Sequence, residues 1–170
     1  MSLRVRPILP EDNAVLAGII RAALAEFGAD KPGTVYFDPT TDHLFELFRQ
    51  PRSAYFVAEE PDGRLLGGAG IFPTESLPEG CCELVKMYLT PAARGKGTGG
   101  TLVTHCLKEA SMLGYREVYL ETMPELKKAL SMYEKFGFRY LKAPMGNSGH
   151  FGCGLWMLKN LDDQEASSTS

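Results

Sequence analysis

The residues with the clearest capacity for chemistry form one short run, Arg94-Gly95-Lys96-Gly97-Thr98-Gly99-Gly100. Glycines allow the main chain to turn its N–H groups toward a ligand, and the N-terminus of a helix beginning near Thr98 would add partial positive charge. The side chains of Arg94 and Lys96 add two full positive charges to the same loop. This combination is typical of a loop that binds phosphate.

The segments on either side would hold this loop in place. Residues 83–89 are mostly apolar or aromatic and contain no Gly or Pro, which predicts a strand. Pro91 ends that strand because proline has no N–H to donate to a ladder. After the loop, apolar residues recur at helical spacing, at Leu102, Cys106, Ala110 and Leu113. A strand, a cationic glycine loop and a helix in this order favour a phosphate site over a plain glycine-rich turn.

The kind of phosphate ligand is less directly determined. Gly95, Gly97 and Gly100 satisfy the dinucleotide motif G-x-G-x-x-G, and Glu121 lies about twenty residues further on, where a ribose-binding acid is expected. However, a dinucleotide fold places its glycines directly at the strand end and continues with several strand–helix units. Here a charged loop intervenes and one such unit follows. A dinucleotide-dependent oxidoreductase is therefore the weaker alternative.

Two segments together resemble a known family. Arg94-Gly95-Lys96-Gly97-Thr98-Gly99 is similar to the (Arg/Gln)-x-x-Gly-x-(Gly/Ala) pyrophosphate loop of the GNAT superfamily of N-acetyltransferases, and Tyr133-Glu134-Lys135-Phe136-Gly137-Phe138 resembles its Tyr-x-x-x-Gly-Phe segment. The resemblance is sharpest over residues 82–138. It implies an α/β fold with flanking helices and a mixed, mostly antiparallel sheet. Its central parallel strands, residues 83–89 and Glu117–Thr122, would splay to admit acyl-CoA.

The resemblance also implies an activity and a set of ligand contacts. The activity is transfer of acetyl from acetyl-CoA, as co-substrate, to a primary amine of a small molecule by direct attack in a ternary complex. A non-catalytic acyl-CoA-binding sensor is the alternative. The cofactor contacts would come from the main chain of Met87, Tyr88 and Leu89 and from Arg94, Gly95, Lys96, Gly97, Thr98 and Gly99.

Glu83 and Tyr133 are the catalytic candidates. Glu83 stands in an otherwise apolar strand, predicted to face the same side as Val85 and Met87, and desolvation there would raise its pKa toward that of a useful base. Several family members carry a Glu at this position that deprotonates the amine; alternatively, Glu83 is exposed and paired with Arg or Lys. Tyr133 matches the family's general acid, although it also lies on the core face of its helix and could simply pack.

The remaining site candidates are polar residues near the predicted acceptor mouth. Glu121 is a second candidate base, an acceptor-binding carboxylate, or an acid near the next helix N-terminus. Asn147 and His150 lie in a polar loop, residues 143–152, and would orient the acceptor if that loop folds over the site. Leu126 departs from the family, many of whose members have an Asn there that touches the pantetheine arm.

Flanking elements complete the prediction. Residues 3–8 suit a strand, and helices are expected from Pro10 to Gly28 and over residues 40–49, with residues 27–45 as candidates for substrate selection by resemblance. Ala54–Glu59 and Leu65–Phe72 predict a hairpin whose second strand contains three glycines, Gly67, Gly68 and Gly70, explained by close approach of ligand or backbone, or by a bulge. Pro124 and Gly137 bracket another helix. Residues 138–142 and 153–159 predict a closing antiparallel pair.

Length and composition bound the remaining possibilities. The chain has 170 residues and a net charge of -3, which predicts a single domain over residues 1–161, a disordered polar tail over 162–170, and no nucleic-acid partner. No apolar run approaches the ~20 residues of a membrane span, and the N-terminus begins no signal peptide. The four cysteines form no C-x-x-C pair, and His150-x-x-Cys153 lacks a second half, so we expect a reducing cytoplasm and no metal. The chain is expected to be a monomer or a homodimer.

Overall fold

The computed structural model describes residues 3–146 and 154–162. Asn147, His150, Cys153 and residues 163–170 lie outside the described residues. The strands are β1 (Arg4–Pro7), β2 (Ala54–Glu59), β3 (Leu65–Phe72), β4 (Cys81–Leu89), β5 (Glu117–Thr122), β6 (Arg139–Leu141) and β7 (Leu155–Asn160). The helices are α1 (Asn13–Glu26), α2 (Leu44–Leu47), α3 (Thr98–Met112) and α4 (Lys127–Lys135), with 3-10 turns at Pro10–Asp12, Val35–Phe37, Pro39–Asp42 and Pro91–Ala93.

The described strands form one sheet in the order β1-β2-β3-β4-β5-β7-β6. Every neighbouring pair is antiparallel except β4 and β5, which are parallel because α3 crosses between them. The predicted mixed, mostly antiparallel sheet is therefore confirmed. The predicted closing pair is also antiparallel, and β7 lies between β5 and β6.

The parallel pairing of β4 with β5 is short. It joins Cys81 to Glu117, Cys82 to Val118 and Glu83 to Tyr119, whereas β4 continues to Leu89 and β5 to Thr122. Beyond Glu83, β4 and β5 have no further residues paired with each other in the described part of the chain. A gap therefore opens in the middle of the sheet at Glu83, which confirms the prediction that the two central strands splay apart.

Helices cover both faces of the sheet. On one face, the buried residues of α3 pack with β-strand residues and with Tyr133 of α4. On the other face, Leu16 and Ile20 of α1 pack with Leu44 of α2 and with Tyr55 of β2. The α3/α4 layer and the α1/α2 layer thus lie on opposite faces of the sheet.

A β-bulge in β4 corrects one prediction about side-chain direction. Gly68 pairs with Tyr88 and Gly70 pairs with Val85, so two residues of β4, Lys86 and Met87, oppose one residue of β3. Val85 consequently packs on the α1/α2 side, while Met87 packs on the α3/α4 side. The prediction that Met87 faces the same side as Glu83 and Val85 is wrong because the extra residue reverses the alternation.

The glycines of β3 are explained by close packing at this bulge. The phenol of Tyr55 reaches across β3 and donates a hydrogen bond of 2.8 Å to the carbonyl oxygen of Lys86. A Cβ atom on Gly68 would lie 2.5 Å from the Tyr55 ring, and one on Gly70 would lie 2.6 Å from the Ala54 carbonyl oxygen. Close approach and bulge are therefore both present here, and together they require glycine.

Two predicted helices differ at their ends. The helix expected over residues 40–49 is a 3-10 turn, Pro39–Asp42, followed by the single turn of α2. His43 interrupts them with a non-helical main chain, and the Asp38 side chain accepts from the Thr40 N–H in an N-cap arrangement. The helix expected to begin at Pro124 begins at Lys127, after a turn in which Leu126 is the N-cap.

Candidate active site

The glycine loop between β4 and α3 has the shape of an anion cradle. Gly95 and Gly97 have φ angles of +76° and +82°, and Gly97 is the N-cap of the 15-residue helix α3. No atom lies within 4 Å of a Cβ placed on either glycine, so the loop has open space on that side. Thr98 and Gly99 are buried at the start of α3, and Gly99 lies against the Leu89 and Met132 side chains. The loop therefore leaves open space at the N-terminus of α3, which is where a helix attracts an anion.

The two basic residues of the loop have different surroundings. The Arg94 guanidinium forms an ion pair of 2.5 Å with Glu26 of α1 and donates to the Leu89 carbonyl oxygen at 3.2 Å. It also lies 5.5 Å from the centre of the Phe27 ring. Arg94 thus fastens the loop to α1, and Glu26 offsets much of its charge. Lys96 is exposed to solvent.

Glu83 is a buried carboxyl group where the central strands separate. Its side chain accepts a hydrogen bond of 2.6 Å from the Thr74 hydroxyl, and the residue is only 2 % exposed. Burial raises the pKa of Glu83 to about 7; the hydrogen bond from Thr74 opposes the rise, while the nearby charge of Glu121 adds to it. The arrangement differs from an exposed Glu paired with Arg or Lys, and it produces a carboxyl group that is about half ionised at neutral pH.

Glu121 belongs to a hydrogen-bonded group that the sequence did not reveal. The phenol of Tyr119 donates to a Glu121 carboxylate oxygen at 2.7 Å and accepts from the main-chain N–H of Met145 at 3.0 Å. Tyr119 is completely buried and pairs with Glu83 across the parallel strands. The alternation of side chains puts Tyr119 and Glu121 on the same face of β5, which is the signal that could have paired them.

The segment that leads toward Asn147 and His150 touches this group. Met145 packs with Tyr119, and a Cβ on Gly146 would lie 2.8 Å from the Leu77 side chain, so the chain before residue 147 is tightly placed beside the site. Asn147 and His150 themselves are outside the described residues. Their contribution to acceptor binding remains a prediction.

Tyr133 lies in the layer opposite to Glu83. Its ring packs edge to face with Phe138 at a centroid distance of 5.8 Å, and the residue is 7 % exposed. Burial raises the pKa of its phenol above the ordinary value of 10, and the neighbouring Tyr88 adds to the effect. Met87 and Leu89 pack against the same cluster. The main chain of β4 therefore lies between a buried base candidate and a buried phenol.

Comparisons with known proteins give relatives of the chain in sequence. The sequence model of the acetyltransferase (GNAT) family matches residues 17–138. The chain is 40% identical over 159 residues to the N-acetyltransferase YjgM of Escherichia coli K12, covering 92% of this chain and 94% of that protein. None of the described helices is long and apolar enough to cross a membrane.

Solved structures show the same fold. A GNAT-family acetyltransferase from Staphylococcus aureus Mu50 superposes with a TM-score of 0.81 at 17% identity, covering 94% of this chain and 99% of that chain. YncA of Salmonella typhimurium, a structure with acetyl-CoA, superposes with a TM-score of 0.73 at 23% identity, covering 95% of each chain. With the family match over most of its length and a close bacterial relative, the chain belongs to the GNAT family of acetyltransferases.

Proposed function

We propose that this protein is an N-acetyltransferase that transfers the acetyl group of acetyl-CoA to a primary amine of a small molecule by direct attack in a ternary complex. The observation that carries the proposal is the buried carboxyl group of Glu83, with a pKa of about 7, at the point where β4 and β5 separate. A base with a pKa near the working pH is the most effective one for removing a proton from an ammonium group.

The chain offers a place for acetyl-CoA that fits its chemistry. The open loop at Gly95 and Gly97 would hold the pyrophosphate with main-chain N–H groups, helped by Arg94 and Lys96. The stretch of β4 from Met87 to Leu89, which lies beyond its pairing with β5, would receive the amide-containing arm. Acetyl-CoA supplies the acyl group as a thioester, whose C–S bond is exchanged for a C–N bond to the amine.

The residues around Glu83 adapt it to proton transfer. Its carboxylate accepts the proton of the acceptor ammonium group, directly or through water, while Thr74 fixes its orientation. Glu121 holds the pKa of Glu83 up by charge repulsion and offers a second anion to attract the ammonium group. Main-chain N–H groups near Met87 and Tyr88 stabilise negative charge on the carbonyl oxygen.

Tyr133 is the proposed hydrogen-bond donor to the departing sulfur. Because its pKa is raised by burial, the phenol keeps its proton at neutral pH. The same shift makes it a weak acid compared with a thiol, whose ordinary pKa is about 8.5. Its contribution is therefore a hydrogen bond that stabilises the negative charge developing on the sulfur, and solvent completes the protonation of the departing thiolate.

Release of CoA tests the proposal directly. The purified protein is incubated with acetyl-CoA and a panel of amines that includes amino acids, polyamines, amino sugars and peptides. Free thiol and acetylated product are measured for the wild type, for Glu83→Gln, and for Glu11→Gln as a control that removes an exposed carboxylate. We expect product with the wild type and the control but strongly reduced turnover with Glu83→Gln. Binding of acetyl-CoA without product on any amine would instead favour the sensor.

A further inference from the structure

Lys86 occupies a strained position on the central strand. Its φ angle of +52° lies in the left-handed region, which residues with a Cβ atom rarely adopt. The bulge is held by the hydrogen bond from the Tyr55 phenol to the Lys86 carbonyl oxygen, and Gly68 and Gly70 leave the space through which Tyr55 reaches it. Three elements of the fold therefore cooperate to fix the main chain at this lysine.

The ammonium group of Lys86 has no close anionic partner among the residues that the structure describes. Burial lowers its pKa, and the charges of Asp38 and Glu83 act in the opposite direction. Within residues 3–146 and 154–162, its ammonium group donates no hydrogen bond and has no carboxylate oxygen within 4 Å. Asp38 accepts two hydrogen bonds from Thr40, at 2.9 and 2.8 Å. Glu83, with its pKa of about 7, carries only a partial charge at neutral pH.

Lys86 lies too far along β4 from the glycine loop to be a ligand of the acetyl-CoA phosphates. The glycine loop begins at Arg94, eight residues after Lys86 and beyond the end of β4. The part of the arm that would run along β4 carries no charge. Val85 and Tyr88 on either side of the bulge pack on the α1/α2 face, and Asp38 lies in the segment between α1 and α2. Lys86 therefore belongs to the acceptor side of the site.

We propose that the acceptor amine also carries an anionic group, of which the carboxylate of an amino acid is the simplest case, and that Lys86 binds this group. The inference rests on the proposed function. Glu83 and Lys86 are three residues apart on one strand, which separates their Cα atoms by about 10 Å at most. The charges of the two side chains act on each other, so at that separation they can hold the opposite ends of a small zwitterion, the ammonium group at Glu83 and the anion at Lys86. A charge-assisted hydrogen bond of this kind contributes selectivity as well as affinity.

Matched acceptors test this directly. Each acceptor found in the amine panel is compared as the free amino acid, as its carboxamide and as the decarboxylated amine. The two analogues that lack a carboxylate have amine pKa values on either side of that of the amino acid. A difference in amine ionisation therefore cannot imitate a preference for the carboxylate. The values of kcat/KM are measured for the wild type, Lys86→Met, Lys86→Arg and, as a control, Lys108→Met, which removes an exposed lysine of α3.

We expect the wild type to prefer the carboxylate over both neutral analogues by about 10- to 100-fold. Lys86→Met should lose that preference through a lower kcat/KM for the carboxylate alone, Lys86→Arg should keep part of it, and the KM for acetyl-CoA should not change. If the best acceptor of the wild type has no anionic group, the inference is wrong. This result needs only the wild type, so it tests the inference even if Lys86→Met does not fold. An equal loss on charged and neutral acceptors would show that Lys86 acts on Glu83 instead. If no amine is acetylated, the proposed function is wrong. If amines are acetylated without a preference for an anionic group, only this inference is wrong.

Discussion

The buried carboxyl group of Glu83 allows a quantitative test by the pH dependence of stability. Glu83→Gln keeps the size of the side chain and removes its titration. Because the pKa is raised from 4.5 to about 7 in the folded protein, Glu83 contributes stability that is fully present below pH 4.5 and is lost as the pH rises through 7. The complete loss corresponds to about 3 kcal/mol in the free energy of unfolding.

Urea denaturation at pH 5 and pH 8 measures this loss. Integrating the linkage relation between these two pH values, we expect the wild type to lose about 2.5 kcal/mol relative to Glu83→Gln. All other titrating groups are common to the two proteins, so their effects cancel in the difference. Glu11→Gln, which removes an exposed carboxylate, should follow the wild type. If the wild type and Glu83→Gln change in parallel between pH 5 and pH 8, Glu83 is not desolvated and the argument for a base fails.

Three further substitutions test the rest of the site. Tyr133→Phe keeps the packing against Phe138 and should lower kcat by about 10²–10⁴ without changing acetyl-CoA affinity or Tm; near-normal turnover would mean that the phenol only packs. Gly97→Val should abolish acetyl-CoA binding in a folded protein, because the valine side chain enters the open space of the loop and resists a φ of +82°. Binding is measured by calorimetry, and an unchanged affinity would show that this loop does not bind the pyrophosphate. Lys96→Ala should weaken acetyl-CoA binding and make it less salt-dependent, and equal salt slopes in both proteins would show that Lys96 is only solvated.

Much of the fold could be predicted because its signals are local. The hairpin Ala54–Glu59 and Leu65–Phe72 follows from strand-forming residues around a Pro-Asp-Gly turn, and its bounds are confirmed. The start of α3 at Thr98 follows from the glycines before it and the apolar spacing after it. The apolar neighbours of Glu83 along the strand left burial and exposure open, and the structure shows that it is buried.

The parts that sequence could not provide depend on contacts between distant residues. The bulge at Lys86 is stabilised by Tyr55, thirty-one residues earlier, and no local pattern in β4 marks the reversal that moves Met87 to the other face. The hydrogen bond from Met145 to Tyr119 likewise joins residues 26 apart. The short α2 was overestimated because apolar spacing alone does not show that His43 leaves the helical conformation.

Because the pairing of β4 with β5 is short, we expect the tendency of the protein to aggregate to depend on whether acetyl-CoA is bound. Past Glu83, both central strands present main-chain groups along an internal edge, and such edges are templates on which other extended chains can pair. If acetyl-CoA binds as proposed, its amide-containing arm would close that edge in the way an added strand does. The substrate would then also act as a protective ligand, and at 100 times its Kd it would stabilise the fold by about 2.7 kcal/mol. Without acetyl-CoA, during purification, during storage or in a starved cell, this internal edge would be exposed to pairing with extended segments of other chains.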